Sequence, residues 1–425
     1  MDSIYNVYKP FRMVMFFNVL AFTLMFLHED KKDFITLAWG IGIILLIFGV
    51  YVLIKWRHWG DEYLFLISSM LVSIGLMMIY RLDPDIGKRQ IVWFAGGASL
   101  FLLSYLIFNL MPMWNSKKLY YIYPAASFLL FTLTLAYGRR IGGAINWLSI
   151  AGINIQPLEV IKLLFIFFTA SYYKHRESLK ALSLKIKGND FRIKSIYIYG
   201  VLSYIHMGFL VLQREWGGAL LFFLIYFTLL YIFESNLKFM LANVFFAGAG
   251  SLGGILFLSH IQTRIDIWLN PWADISGKGY QITQSLFAIG SGGFFGTGIG
   301  LGSPELIPEV HTDFIFSAIC EEMGIFGGTG VILLYLLLVY RGIKISLKIN
   351  DIFYKALALG ISIMIGFQTF IIIGGVVKMI PLTGITLPFI SYGGSSLISS
   401  FIALGILQAI SSGKSIQMEE THEGE

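Results

Sequence analysis

The chain has 425 residues and a formal net charge of +6, but only 13% of its residues are charged and 56% are hydrophobic. Soluble chains carry about 25% charged residues, so no water-facing shell can be built from this composition, and a mean hydropathy of +0.75 agrees. The basic residues lie in short segments between apolar runs, with no lysine or arginine stripe interleaved with aromatics, which excludes a nucleic-acid footprint. The one cysteine, Cys320, excludes an internal disulfide and reads as a small core residue inside an apolar run.

Twelve apolar segments of near-spanning length follow one another. They lie near 11–28, 35–55, 62–80, 90–112, 118–137, 157–173, 196–212, 216–233, 238–259, 314–340, 355–377 and 387–411. The first is long enough to be a retained span rather than a cleaved leader. No period of 20–50 residues recurs, which argues against a repeat array. The expectation is an all-α polytopic membrane protein. More than half of the 31 basic residues fall on one side if both termini are cytoplasmic, led by Lys174, Arg176, Lys180, Lys185, Lys187, Arg192 and Lys194 in the 174–194 loop. The long polar stretch 260–313 then faces outward. It reads as a loop between two spans, and loops of that length usually carry function.

With this orientation the unusual polar residues gather at the outer face. Glu159 and Lys162 lie three apart on one helix face at the start of the sixth span. Arg214 and Glu215 occupy a tight turn between spans seven and eight, and Lys378 ends span eleven. Ser391, Tyr392, Ser395 and Ser396 lie near the outer start of span twelve. Asp313, Ser317 and Glu321 are four apart and read as a polar stripe opening span ten. Ionisable groups in spans are functional candidates by default. Each also has a plainer reading. Thr312 or Asp313 can cap a helix. Trp147, in the polar outer stretch 140–157, can be an interfacial anchor or a platform for a sugar or lipid headgroup. Lys162, Arg214, Arg264 and Lys378 can each snorkel, and together can hold a pyrophosphate. Glu321 and Glu322 lie two turns into the helix and are harder to read as caps; either can pair with a lysine or arginine of a neighbouring span. The glycine run GSGGFFGTGIG at 290–300 contains no phosphate-binding fingerprint, so it reads as a flexible or re-entrant loop. No His, Cys or Asp cluster has metal-site spacing.

HTDFIF at 311–316 with EEMG at 321–324, GYQITQSLFAIGSGG at 279–293, PLTGITLPFISYGGSS at 381–396 and NWLSIAGINIQPLEVIK at 146–162 together resemble the SEDS family, which comprises RodA, FtsW and SpoVE. The resemblance covers about residues 62–411. It implies a SEDS-type helix bundle of about twelve transmembrane helices, ten core plus two N-terminal, with a large outer loop before the tenth. The organisation expected is an extra helix pair at 1–60, a glycosyltransferase core at 61–412 and a short cytoplasmic tail at 413–425. The implied activity is polymerisation of lipid II into glycan strands at the outer face of the bacterial cytoplasmic membrane, beside a class B penicillin-binding protein. The family's essential aspartate falls on Asp313, its outer-loop tryptophan on Trp147, and the glutamate and lysine of its QPSExxK run on Glu159 and Lys162. The chain departs from the pattern at Leu158, at Arg214 and Glu215, at Ile372 where an asparagine is usual, and at Lys378 where a glycine is usual.

The resemblance implies Asp313 as the base for the acceptor hydroxyl, with His311 two residues away. Trp147, Glu159, Lys162, Arg214, Arg264, His311, Glu321, Lys378 and Ser395 are the substrate-binding candidates. Lys162, Arg214 and Arg264 would stabilise the leaving pyrophosphate, alone or with a divalent cation, Mg or Mn, as the one cofactor this chemistry leaves room for. Two other classes compete. A lipid II flippase requires functional charges distributed through to the inner face, whereas here they concentrate outside. A non-catalytic scaffold for the penicillin-binding protein requires a dispensable Asp313.

Overall fold

This computed structural model describes residues 9–28, 34–141, 143–150, 152–179, 182–186 and 189–413. The chain is predominantly helical. Eleven of the described helices are long and apolar enough to cross a membrane, because only a helix satisfies its own backbone polar groups in lipid. In order they are α1 (Lys9–His28), α2 (Phe34–Trp56), α3 (Glu62–Leu82), α4 (Pro84–Leu110), α5 (Leu119–Tyr137), α7 (Ser195–Leu212), α8 (Trp216–Phe233), α9 (Leu237–Phe257), α12 (Ile315–Leu347), α13 (Ile352–Val376) and α14 (Gly394–Ser412). The expected sixth span is helix α6 (Pro157–His175), of 19 residues. It stands outside the eleven, since Glu159, Lys162 and Lys174 depress its hydropathy. Most of α3, α13 and α14 is buried, while α9 is exposed along most of its length.

Three stretches expected to be loops are built otherwise. Residues 140–157 carry a three-stranded antiparallel sheet, β1 (Arg139–Ile141), β2 (Ala144–Ile150) and β3 (Ile153–Ile155), in sequential order. Alternation was short and glycine-broken there, so no strand period stood out. The basic 174–194 segment holds a hairpin of β4 (Leu182–Ile186) and β5 (Asn189–Ile193); Lys180 and Lys187 lie outside the described residues, as does the tail from 414. The long outer stretch is mostly helical. It comprises α10 (Ser259–Leu269), a 3-10 turn at Pro271–Asp274, α11 (Tyr280–Gly292) and a second 3-10 turn at Pro304–Leu306.

The chain divides into two compact units. The first contains residues up to 107, 258–341 and 368–413; the second contains 108–257 and 342–367. In the first, α1 and α2 pack on α3. The Phe22 ring closes on Gly40, where a Cβ would meet Cγ at 2.7 Å, and the Thr36 and Tyr80 hydroxyls are 2.8 Å apart. Arg341 ion-pairs with Asp61 at 2.7 Å, and the Asp61 amide donates to Ser411 Oγ, so the near ends of α3, α12 and α14 are tied together. In the second, α6, α7 and α8 enclose a cluster of aromatic rings, with Tyr172 stacked on Tyr199 at 4.1 Å.

Candidate active site

Asp313 lies in the first unit, in a run of turns that ends where α12 begins at Ile315. It therefore precedes the helix, and the expected stripe is helical only from Ser317 onward; the turn intervenes because Phe314 N and Thr312 N both fold back onto Glu309 O. The turn is held from α14's approach. Tyr392 N donates to His311 O at 2.8 Å, Ser391 Oγ donates to Thr312 O at 2.6 Å, and Leu387 N donates to Ser391 Oγ. From α4, the buried Gln90 donates to Ser391 O. Ser391 and Tyr392 of the 381–396 motif thus fix the backbone of the two residues before Asp313.

Asp313 is closely surrounded yet keeps part of its surface open. Burial pushes its carboxyl up to about 6, the Glu309 charge adds to this, and Arg264 opposes it. Gly384, at φ +76, marks where these groups meet: a Cβ there would lie 3.5 Å from Asp313 Oδ2 and 3.7 Å from Arg264 Nη2. Arg264 also donates to Leu382 O at 2.6 Å. His311 is lowered by burial, with Asp83 and Glu309 pulling the other way, and its Nδ1 is buried with no hydrogen-bond partner among the described residues. Ser395 stands half-buried in the first turn of α14.

Beside Arg264 opens a cavity of about 220 Å³. Arg264 and Trp268 of α10, Lys278, Gln281 of α11, and Lys378 and Leu382 line it. Lys378 has φ +61, and its carbonyl accepts from Trp268 Nε1 at 3.1 Å.

The glycine run is not a free loop. It is fastened to the start of α12, which kinks at Gly324, φ +70. Thr297 N and Gly298 N donate to Glu321 O and Glu322 O, while Ile325 N and Phe326 N donate to Gly293 O and Phe294 O. Glycine is required here by contact: a Cβ on Gly296 would sit 2.2 Å from Glu322 O, and one on Gly324 would sit 2.4 Å from Gly296 N. Glu321 Oε1 accepts from Ser303 N at 2.8 Å. Glu322 accepts from Gly300 N and ion-pairs with Arg81 Nε at 2.7 Å, its side chain fully buried. Arg81 also reaches Gly302 O and Glu305. The basic partner for Glu322 is therefore Arg81, at the end of α3, while Glu321 is held by a backbone amide. Sequence reasoning passed over Arg81, although a charge closing an otherwise apolar helix was the available signal.

The remaining candidates belong to the second unit. Glu159 and Lys162, both buried, ion-pair at 2.9 Å within α6. Lys162 thus directs its ammonium at a carboxylate of its own helix. Trp147 is half-buried on β2, opposite Arg139 of β1. Arg214, at φ +63, is exposed in the turn after α7. Buried Glu215 accepts from Asn146 Nδ2 at 2.8 Å, and Ile145 N donates to Gln213 O; the sheet is thereby pinned to that turn.

Fold and site define a multi-pass membrane protein with a partly open carboxylate beside a cationic cavity. The model of the FtsW/RodA/SpoVE family, described as cell cycle protein, matches residues 61–416, and the chain belongs to this family. The peptidoglycan glycosyltransferase RodA of Mycobacterium tuberculosis is 32% identical over 392 residues, covering 88% of this chain and 83% of that protein. Stage V sporulation protein E of Bacillus subtilis is 34% identical over 373 residues, covering 83% and 96%. Among solved structures, a chain of a peptidoglycan synthase complex that coordinates polymerization and crosslinking is similar with a TM-score of 0.68. It is 25% identical and covers 84% of this chain and 98% of that one.

Proposed function

We propose that this protein is a peptidoglycan glycosyltransferase that polymerises lipid II at the outer face of the bacterial cytoplasmic membrane. The observation that carries the reading is Asp313: a carboxylate on a turn fastened through His311 and Thr312, partly open, facing Arg264 across Gly384. The acceptor's sugar hydroxyl attacks the anomeric carbon of the donor. Its proton passes to Asp313, and the bond from that carbon to the diphosphate oxygen breaks with its electron pair on the diphosphate. A group with its pKa near 6 is mostly ionised at neutral pH and still basic enough to accept the proton. Attack opposite the leaving group inverts the anomeric centre. Arg264 is the cation whose charge acts on the base, and it meets the charge developing on the leaving group.

No group of three His, Cys, Asp or Glu residues suited to a metal ion occurs among the described residues. A divalent cation would arrive on the substrate's diphosphate. Relatives named RodA and a neighbour in a peptidoglycan synthase complex support a class B penicillin-binding protein as the membrane partner that crosslinks the product.

The test is polymerisation of labelled lipid II by purified protein, with and without the partner. Asp313→Ala should lower the rate about 10²–10⁴-fold while eluting as a folded protein. Equal polymer from variant and wild type would remove Asp313 from the chemistry. No polymer from either, even with partner, would move the reading to a flippase or a scaffold.

A further inference from the structure

The cavity beside Arg264 has a composition that the reaction at Asp313 does not by itself explain. Three cations from three separate segments line it, Arg264 of α10, Lys278 before α11 and Lys378 after α13, and no carboxylate does. Like charges gathered around one cavity repel one another, and an anion that enters relieves that repulsion. Lys378 adds a cost of its own. Its backbone is left-handed, φ +61, a conformation glycine adopts freely and a lysine does not. The strained lysine is held there from outside, through Trp268 Nε1 on its carbonyl. A strained residue that brings a charge to an already cationic cavity is an arrangement built around a ligand.

The remainder of the lining is mostly apolar, Ile267, Ile282, Ile380 and Leu382 with Trp268, and Gln281 adds one amide. The ligand therefore has a highly charged head and a greasy neighbour. About 220 Å³ is the room of about seven waters, enough for a diphosphate and too little for a disaccharide with its peptide.

We propose that Arg264, Lys278 and Lys378 form the seat of the donor's polyprenyl diphosphate, with Lys278 and Lys378 holding the leaving group while Arg264 spans the seat and the base. This rests on the glycosyltransferase reading above. The donor rather than the acceptor is assigned because Arg264 faces both the cavity and Asp313. In the donor the diphosphate is bonded to the reacting carbon, whereas in the acceptor a whole disaccharide separates the diphosphate from the nucleophilic hydroxyl.

The experiment is binding of undecaprenyl diphosphate, undecaprenyl monophosphate, undecaprenol and inorganic pyrophosphate to the full chain in nanodiscs, run beside lipid II polymerisation. The variants are Lys378→Gly and the double variant Lys278→Gln, Lys378→Gly. Glycine relieves the strain at 378 and keeps both backbone hydrogen bonds, so loss of folding does not confound it. The expected result is that undecaprenyl diphosphate binds wild type best, more weakly as salt rises. Its affinity should fall at least about tenfold in the double variant, with undecaprenol unmoved. Unchanged diphosphate affinity in the double variant overturns the proposal, and if wild type makes glycan in the same preparation the enzyme reading still stands. Undecaprenol binding as tightly as the diphosphate also overturns it, as does inorganic pyrophosphate binding as tightly as the lipid form. Lysine-dependent diphosphate binding by a wild type that makes no glycan supports the seat and removes the reaction.

Discussion

At the scale of the residue, the chemistry turns on the protonation of Asp313. Burial, then Glu309, hold its carboxyl up at about 6, and Arg264 holds it from rising further. A base works only when deprotonated, so glycan synthesis should fall as pH drops through about 6. The two neighbours give the sign a test. Arg264→Gln removes the charge that favours the carboxylate, so the acidic limb should move to higher pH, with an added loss in rate at all pH values. Glu309→Gln removes a repelling charge, so the limb should move to lower pH. Initial rates of lipid II polymerisation between pH 5 and 8 check both. Limbs that stay together in all three proteins would mean that another group sets the profile. Folding responds in its own direction. A carboxyl raised in the folded state stabilises the fold below its unfolded pKa, near 3.8, and that contribution is lost as pH rises through about 6.

At the scale of the element, the glycine run and the start of α12 form one locked unit. Gly296→Ala would drive a methyl into Glu322 O at a backbone of φ +85, so it should destabilise by several kcal/mol and lower the yield of monodisperse protein in detergent. Gly290→Ala, in the open flank of α11 with nothing within 4 Å, should stabilise slightly, by about 0.5–1 kcal/mol. Equal melting of the two variants would sink the clamp. A similar contrast holds for the ion pair behind it. Arg81→Met leaves Glu322 buried with its charge uncompensated, which costs about 3–5 kcal/mol, whereas Arg81→Met with Glu322→Gln should recover much of that loss in thermal melts. These features also show what was legible in the sequence. The spans were, because lipid imposes an apolar run on every helix, and so were the residues of the Asp313 turn, through their motifs. The glycine clamp was not, because its bonds run between backbones 24 or 32 residues apart and leave no periodic trace. The sheet around Trp147 was hidden by its three-residue strands, and Arg81 by lying at the end of a helix that otherwise reads as ordinary span.

At the scale of the whole molecule, the family model matches from residue 61, and α1 and α2 lie before that match. They are packed on the matched core, not merely tethered. Ile43, Ile47, Tyr51 and Ile54 are buried, the Thr36 hydroxyl meets that of Tyr80 at 2.8 Å, and Tyr51 and Lys55 both reach Glu62, the first residue of α3. The hydrogen bonds that fix the Asp313 turn come instead from Gln90, Ser391 and Tyr392. Supporting the core and shaping the site are thus separable tasks in the first unit. Removing residues 1–58 should lower the melting temperature in detergent by a few degrees or more, since it strips a packed face from α3 and leaves Glu62 without its lysine. Thr36→Val should cost about 1 kcal/mol of the same stability, because the buried Tyr80 hydroxyl loses a partner. Glycan synthesis per folded molecule should stay within a few-fold of wild type in both, measured below the melting range of the truncated chain. An unchanged melting temperature would show that the pair contributes nothing to the core. Loss of synthesis by a truncated chain that is still folded would place part of the catalytic machinery in the N-terminal helices and undo the separation.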